Sequence, residues 1–502
     1  MTTGVDNTIV GGLAGGALTT ASHNTVLGKN ALGSTTVGAE NVSIGASAMF
    51  TNVGGTASVA IGKNALYYQS PGSSNVTMAN VAVGTGAGQD IANAKHNTAI
   101  GHNSQFNATT GEFNTALGSL SMGTGVATGD ANVAIGYNTG QALTSGTSNT
   151  LLGALAGDAL ATGDANVAIG YAALGAEDDN GANVAVGYQA LTTLNAGANG
   201  FNTAVGYQAG LAMTTGVQNV VMGGKAGDSL TTGSYNVAIG YEALATEDAH
   251  GKNVAIGWLA LSDQNAGADA FNIGIGYNAG KAMTTGVKNT LIGGLAGDSI
   301  TTGIENIAIG FEALSTNIDG DSNVAIGVGA LKDFEADTDG HGSNVAIGNL
   351  AMHECTTGTV NTAVGARAMG NGITTGDFNV AIGYLALEDV TSGNYNVALG
   401  SQAMLQVTSG QQNVAIGYNA LASSVDGDFN TAIGYLALED YEDGDGNGHN
   451  TAVGNSSQLN ATTGEFNTSL GSLSMGVGVV TGDANVAIGY RAGEDITSAT
   501  TT

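Results

Sequence analysis

The chain has 502 residues, of which 42% are apolar and only 10% are charged. Its 40 acidic residues against 10 Lys and Arg give a formal charge of −30, which argues against nucleic acid or an anionic membrane as a partner. The 83 glycines follow no G-X-Y period and accompany a single proline, Pro71, which excludes collagen. Cys355 is the only cysteine, so no intrachain disulfide is expected.

A five-residue pattern recurs 28 times between Asn7 and Asn485: Asn, a β-branched residue, a residue that is usually small, a large aliphatic residue and Gly. Residues 236–240 are one copy, and Ser58 replaces the Asn once. Of the 27 spacings, 19 are 17 residues, none is shorter and the longest is 22. Spacings that sometimes exceed the basic period but never fall below it are typical of stacked repeats in which extra residues form loops.

Each repeat, numbered from its Asn, predicts one coil of a solenoid. Position 2 is Val, Ile or Thr and position 4 is a large aliphatic residue, which predicts a strand with positions 2 and 4 on one buried face. The invariant Gly at position 5 predicts a bend or a left-handed backbone. An Ala-Leu pair such as 243–244 then predicts a second extended piece, and a Thr-Thr-Gly turn such as 231–233 closes the coil. The fold class is therefore all-β, a parallel β-solenoid or β-roll of about 28 rungs of 17 residues.

The Asn column allows two interpretations. The first is an internal ladder, in which each amide satisfies backbone groups at a corner and bonds to the next copy. The second is a functional column directed at ice or sugar. Ice binding is disfavoured, because the Thr residues form no regular Thr-x-Thr columns.

Position 3 is Ala in 20 copies and Ile, Val, Leu, Ser or Gly in the other eight, and it is never charged. Because it alternates with positions 2 and 4, we expect it to point outward, where a small apolar column indicates close packing against another chain. The sequence therefore predicts a side-by-side homotrimer. Its predicted interface residues are Ala168, Ala185, Ala204, Ala238, Ala255, Ala308 and Ala325.

Position 6 is aromatic in 12 copies. These rings either form a stacking ladder beside the bend or offer a row of platforms for glycan binding. The candidate glycan-binding residues are Tyr188, Tyr207, Tyr241, Trp258, Tyr277 and Phe311.

The longer rungs carry acidic loops, including 177–179, 247–248, 333–339 and 439–445. Asp443, Asp445 and Asn447 match the first half of a calcium loop, but Gly454 stands where the closing Glu belongs. The loops are thus either a calcium site or a solvated acidic edge, and no other cofactor is indicated. No triad, P-loop or metalloprotease pattern occurs, so we expect no enzyme.

The repeated Val-Ala-Ile-Gly after Asn or Ser resembles the head repeats of YadA-like trimeric autotransporter adhesins, and covers residues 7–502. That family implies a left-handed parallel β-roll with three rolls packed together. The longer rung, with Tyr after the Gly, also resembles the repeats of phage tail fibres, notably those of cyanophages. We find no secretion signal, stalk or anchor pattern in the sequence, and the familiar head rung is shorter, so we favour the fibre.

The expected function is a structural and adhesive fibre segment that attaches a virion to its host surface, with self-association and a glycan or receptor as partners. The alternatives are the head of a bacterial surface adhesin and a subunit of a self-assembling extracellular filament, both located at or outside the cell surface. No apolar stretch approaches ~18 residues, so we expect no membrane insertion.

The domain organisation expected from the repeat is one continuous domain, residues 1–502. Within it, four-rung blocks recur at 132–201, 202–271 and 272–343. Such duplication suits a protein whose length is its useful property.

Overall fold

The computed structural model describes residues 3–123, 125–335, 342–442 and 447–498. Within these residues the chain contains strands, turns and bends but no helix, and it forms a parallel β-solenoid of about 28 turns, which confirms the predicted fold class. It divides into two compact units, residues 1–251 and 252–502, which are described separately.

Each unit contains fourteen three-residue strands in its described part, one per rung, at positions 2 to 4 of the repeat. The strands of the first unit, with four additional two-residue strands, are β1 Thr8–Val10, β2 Thr25–Leu27, β3 Val42–Ile44, β4 Thr51–Asn52, β5 Gly55–Thr56, β6 Val59–Ile61, β7 Tyr68–Gln69, β8 Val76–Thr77, β9 Val81–Val83, β10 Thr98–Ile100, β11 Thr115–Leu117, β12 Val133–Ile135, β13 Thr150–Leu152, β14 Val167–Ile169, β15 Val184–Val186, β16 Thr203–Val205, β17 Val220–Met222 and β18 Val237–Ile239. Those of the second unit are β19 Val254–Ile256, β20 Ile273–Ile275, β21 Thr290–Ile292, β22 Ile307–Ile309, β23 Val324–Ile326, β24 Val345–Ile347, β25 Thr362–Val364, β26 Val380–Ile382, β27 Val397–Leu399, β28 Val414–Ile416, β29 Thr431–Ile433, β30 Thr451–Val453, β31 Thr468–Leu470 and β32 Val486–Ile488.

Rung strands within a unit pair in parallel and in register, so each repeat position forms a column. In β14 and β15, for example, Ala168 pairs with Ala185 and is flanked by the pairs of positions 2 and 4. The two-residue strands pair separately, β4 with β7 and β5 with β8.

The predicted orientation of the strand is wrong: position 3 is inside the coil, and positions 2 and 4 are outside. Among the 28 rung strands described, the middle residue is buried in all but Ile9, whereas positions 2 and 4 are partly or largely exposed in every case. The predicted interface alanines are consequently core residues with no exposed surface: Ala168, Ala185, Ala204, Ala238, Ala255, Ala308 and Ala325.

The reason for the small residue at position 3 is the thinness of the coil. A Cβ added to Gly274, which occupies position 3, would lie 2.7 Å from Cγ of Leu261, the position-9 side chain of the preceding rung. Position 3 therefore packs against side chains from the opposite wall of its own chain, and Ala fits because little space remains.

The rest of the core comes from positions 8, 9 and 12, which compensate one another in volume. Where position 9 is Gly, position 12 is large: a Cβ on Gly297 would lie 2.8 Å from Cδ1 of Ile300. Where position 9 is Leu or Met, position 12 varies and is often polar, as with Glu247, Gln264 and Cys355, all fully buried.

Ordinary residues adopt a left-handed backbone at three places in the rung: positions 7 and 9 and the residue before the Asn. Ala172 and Leu174 have φ values of 50° and 54°. Each such residue costs about 1–2 kcal/mol, but its N–H bonds to an adjacent rung, Ala172 to the Ala154 carbonyl and Leu174 to that of Ala190, both at 3.0 Å. The prediction of a second extended piece after the Gly is therefore wrong, because a compact turn lies there instead.

The structure confirms that a Cβ would be obstructed at position 5, where every repeat has Gly. Gly136 has φ +140°, and a Cβ there would lie 2.6 Å from the carbonyl oxygen of Gly153 in the next rung. Both the backbone angle and the stacking of rungs thus require Gly.

The Asn column is the internal ladder, as the first of the two interpretations held. The backbone N–H of Asn236 donates to Oδ1 of Asn219 at 2.9 Å, and Nδ2 of Asn219 donates to the Gly233 carbonyl at 2.9 Å. Ser58 performs the same task with Oγ, which accepts from the Asn80 N–H at 3.3 Å. Because the column is buried, it presents no surface to ice or sugar.

Two adjacent glycines test this account of the corner. Gly223→Ala should lower the free energy of local unfolding by about 2–3 kcal/mol, because φ is +136° and the new Cβ would lie 2.6 Å from the carbonyl carbon of Gly240. Gly224→Ala should change it by less than about 0.5 kcal/mol, because its Cβ would lie 3.5 Å from Cδ2 of Tyr241. Hydrogen exchange of the flanking rungs measures both, and equal effects would contradict the account.

Candidate binding surface

The outer strand face, defined here as the side chains at positions 2 and 4, is uncharged along its whole length. Position 4 is Ile, Leu, Val or Met in all 28 copies, and position 2 is Val, Thr or Ile. Leu152 and Met222 at position 4 are 42% and 39% exposed. In each unit, the strands that build the ladder therefore also present an uncharged face to solvent, which is aliphatic at position 4 and Val, Ile or Thr at position 2.

Beside this face runs the position-6 column, in which aromatic rings stack on one another. The ring centroids of Tyr171 and Tyr188 are 5.3 Å apart, those of Tyr188 and Tyr207 5.4 Å, and those of Tyr418 and Tyr435 5.5 Å, each pair nearly parallel. The predicted stacking ladder is thus present in these rungs. The candidate glycan-binding residues are all exposed, namely Tyr188, Tyr207, Tyr241, Trp258, Tyr277 and Phe311.

A second exposed column, which sequence reasoning missed, consists of the residue before each Asn and is called here the pre-Asn column. Phe378 stacks on Tyr395 at 5.1 Å between centroids, and His449 stacks on Phe429 at 4.6 Å and on Phe466 at 4.9 Å. The signal was present in the sequence, since aromatic residues recur immediately before the Asn.

The same column carries exposed ion pairs between successive rungs. Lys288 and Glu305 lie 2.8 Å apart, and Lys252 lies 2.6 Å from Asp269 and over the ring of Phe271. Solvent screens such pairs, so they contribute little to stability. Their effect is to neutralise some of the acidic charge beside the outer strand face.

The acidic loops are not simply a solvated edge, because two of their carboxylates point into the coil. Glu177 and Glu247 occupy position 12 and have no exposed surface. Oε1 of Glu177 accepts hydrogen bonds from the backbone N–H of Asn180 at 3.2 Å and from its Nδ2 at 3.0 Å. Burial raises the pKa of Glu177 above the ordinary Glu value, although these bonds oppose the shift.

The loop at Glu247 brings together three potential metal-ligating side chains that the sequence analysis did not combine. Ligand atoms of Glu247, Asp248 and His250 lie within 4.8 Å of one another, and Nδ1 of His250 is 3.4 Å from Oε1 of Glu247. His250 occupies the place that Asn180 holds in the related loop, where the side chain bonds the buried Glu. The arrangement is therefore explained by the fold of the loop itself.

The predicted calcium residues are only partly covered by the structure. Asp443 and Asp445 lie outside the described residues. The carbonyl oxygen of Asn447 accepts a hydrogen bond from the Tyr441 hydroxyl at 3.0 Å. Calcium binding by these three residues stays a prediction.

Cys355 lies in the coil interior, where burial raises the pKa of its thiol to about 12. Its sulfur lies 3.7 Å from the Gly358 carbonyl oxygen. A thiol that stays protonated at neutral pH is a core group without nucleophilic character.

A groove of about 500 Å³ adjoins the stacked rings of Phe50 and Tyr67 in the first unit. Asn30 supplies the one polar side chain among its lining residues, which are Leu13, Gly16, Ala17, Asn30, Gly33 and Phe50. So few polar groups do not specify a ligand.

Comparison with known proteins adds no relative: no family model matches the chain, and no curated protein matches it. The described residues contain no helix, and therefore none that could cross a lipid bilayer.

The buried Glu177 predicts a dependence of stability on pH. Burial raises the pKa of Glu177 in the folded chain, so the protonated carboxyl is the form that the fold favours. The folded chain is therefore more stable at acid pH, and it loses this stability as the pH rises through the raised pKa. Glu177→Gln should therefore raise the melting temperature at pH 7, with an advantage that shrinks towards pH 4. Buried Gln69 and Gln264 show that position 12 accepts this side chain.

The matched control is the exposed Glu40, whose change to Gln should have little effect at either pH. Thermal unfolding monitored by circular dichroism measures both variants. A Glu177→Gln protein that is less stable than the parent at pH 7 would contradict the account.

Proposed function

We propose that the chain is a structural and adhesive segment of a fibre, most simply of a phage tail fibre, and that it catalyses no reaction. The observation that carries the proposal is the unbroken in-register stacking of rung strands within each unit, as in β14 on β15. A solenoid of this kind gains length by adding rungs and resists bending because every rung is bonded to its neighbours. Such properties suit a spacer between a particle and a surface.

The adhesive part of the proposal is supported by the position-6 column. Stacked, half-exposed Tyr rings such as Tyr188 and Tyr207 present flat apolar faces on which a sugar ring can pack. Repetition along the solenoid would let many weak contacts act together, so that avidity replaces the affinity of a single site.

Three copies side by side would multiply this effect, and we retain the homotrimer as part of the proposal. The reason is no longer position 3, which is interior. It is the outer strand face, whose side chains are partly or largely exposed in every described rung strand. A location on the virion follows from the fibre role, and a location at the bacterial cell surface is the alternative.

Glycan binding is tested by a matched pair of double variants on an immobilised panel of bacterial cell-surface glycans. Tyr188→Ala with Tyr207→Ala removes a stacked pair from the position-6 column and should lower retention about tenfold, since binding is multivalent. Phe378→Ala with Tyr395→Ala removes a stacked pair from the pre-Asn column and should leave retention unchanged. Equal losses, or no retention of the parent chain by any glycan, would contradict the adhesive role.

The structural role is tested separately by small-angle X-ray scattering of the full chain. An elongated particle with a cross-section of one or a few coils is expected. A compact particle would contradict the fibre proposal whatever the glycan result.

A further inference from the structure

The position-6 column is interrupted at the second rung of each four-rung block. That rung has Ala or Gly at position 6, whereas the rungs before and after it have Tyr or Phe. Each such set of three residues is called here an aromatic slot, and each slot lies within one of the two units. The three slots are Tyr137, Ala154 and Tyr171; Tyr207, Gly224 and Tyr241; and Tyr277, Gly294 and Phe311.

The fold does not require the small residue in a slot. Gly224 does not have a left-handed backbone, and a Cβ there would lie 3.5 Å from Cδ2 of Tyr241, which is an ordinary contact. A Cβ on Gly294 would likewise lie 3.5 Å from Cδ2 of Phe311. Unlike the glycines at position 5, these two are not explained by packing within the chain.

The small residue leaves one face of the adjacent ring open. Tyr188, which stacks on a ring in each adjacent rung, is 45% exposed, whereas Tyr207, which has Gly224 on one side, is 53% exposed. Two rungs at ~4.8 Å each place the rings of Tyr207 and Tyr241 about 9.6 Å apart, whereas the stacked centroids of Tyr188 and Tyr207 are 5.4 Å apart. The slot therefore has room for one ring between its aromatic walls.

The rung of the small residue also carries an acidic side chain at position 10 in all three slots. Burial raises the pKa of each of these part-buried carboxyl groups, which are Asp158, Asp228 and Asp298. A fourth interval, at Ser401 between Tyr384 and Tyr418, has Leu405 at position 10 and is not counted as a slot.

In the second slot, further charged groups surround this carboxylate. Asp228 interacts electrostatically with Lys225 of its own rung and with Glu242 of the next. The Tyr241 hydroxyl hydrogen-bonds to Glu242 and also interacts with Asp228, so these groups lie beside the aromatic wall of the slot.

The third slot repeats this arrangement. Asp298 interacts electrostatically with Glu312 and with Lys281. Both slots therefore combine two aromatic walls with two carboxylates and one ammonium group.

We propose that each aromatic slot binds one pyranose ring of an uncharged glycan, with the ring inserted between the two aromatic side chains and its hydroxyls bonded to the carboxylates beside the slot. This inference rests on the proposed adhesive function. It places the glycan contacts at the interruptions of the position-6 column rather than along the edges of its stacked rings.

The chemistry of the slot favours a sugar over a flat aromatic ligand. A pyranose ring has C–H groups on both faces, which pack on aromatic rings, and hydroxyls around its rim, which donate to carboxylates. A flat aromatic ligand would contact the walls but bring no donor to Asp228. The formal charge of −30 disfavours nucleotides and acidic sugars, because the protein repels their phosphate or carboxylate groups.

Filling the slots tests the proposal. Ala154→Tyr, Gly224→Tyr and Gly294→Tyr together complete the stacks of rings. At least one of immobilised dextran, mannan and galactan should retain the parent chain, and the filled variant should be retained at least about tenfold less, because the place of the sugar ring is taken. Polygalacturonate, an anionic polysaccharide, should not retain the parent.

The matched control adds the same three side chains to position 6 where no slot exists: Val328→Tyr, Ala366→Tyr and Ser472→Tyr. None of these positions lies between two aromatic position-6 residues, so retention should equal that of the parent. Far-ultraviolet circular dichroism verifies that both variants keep the fold. Undiminished retention of the filled variant, or better retention of the parent on polygalacturonate, overturns the proposal.

A second measurement does not depend on large substitutions. Gly224→Cys places a thiol at the base of a slot and Val328→Cys places one elsewhere in the position-6 column, while the native Cys355 is buried. An oligosaccharide released from the retaining polysaccharide, at about ten times its dissociation constant, should slow the reaction of maleimide at position 224 about tenfold. The rate at position 328 should not change. An unchanged rate at position 224 overturns the proposal.

These outcomes separate the inference from the adhesive function. If the parent and the filled variant are retained equally, the slots are not the binding sites and the adhesive function stands. If no polysaccharide retains the parent, the adhesive function itself is wrong.

Discussion

The hydrogen bond from one rung's backbone to the preceding rung's Asn side chain is the constraint on which the rest of the structure depends. Oδ1 of Asn219 accepts a hydrogen bond from the backbone N–H of Asn236 in the next rung, and Nδ2 of Asn219 donates one to the carbonyl of Gly233 at the closing turn of its own rung. One side chain thereby fixes both the start of the strand and the end of the coil. Because the Asn side chain is buried, leaving it without a hydrogen-bond partner would cost about 1–3 kcal/mol. Each Asn therefore favours another Asn at the same place in the next rung.

In-register stacking has a direct consequence for the surface. Once Asn219 and Asn236 are aligned, every position of one rung lies over the same position of the next, as with Val220 over Val237. A residue type that recurs at one position of every rung therefore forms a continuous column. The uncharged outer strand face, the stacked position-6 rings and the pre-Asn column are therefore products of the same ladder, and a binding surface built from any of them is periodic.

The sequence predicted the rung well and its orientation badly. The period, the strand, the Gly corner and the Asn ladder each follow from a local requirement that one residue type satisfies, as Gly136 does at φ +140°. Alternation along a strand separates two faces, but it does not say which is inside. The deciding information was the volume at positions 8, 9 and 12: the side chains there leave little room beside Ala238, whereas glycines at position 9, residues 140 and 157, make room for Leu151 at position 3.

Other features could not have been read from residue types alone. Left-handed backbone at Ala172 and Leu174 is set by bonds to adjacent rungs, and Ala and Leu carry no local signal for it. The burial of Glu177 likewise depends on its place at position 12, because an acidic run such as 177–179 normally indicates a solvated loop. The pre-Asn column, by contrast, was visible in the sequence and required only that the repeat be read one residue earlier.

The most direct test of this account is amide hydrogen exchange at Asn236 in variants of Asn219. Asn219→Ala removes the acceptor of the Asn236 N–H and should greatly reduce its protection, with loss spreading to the two adjoining rungs. Asn219→Ser should retain part of the protection, because Ser58 shows that a hydroxyl can accept the same bond. If protection of Asn236 is unchanged in Asn219→Ala, the ladder does not hold the rungs together and the account is wrong.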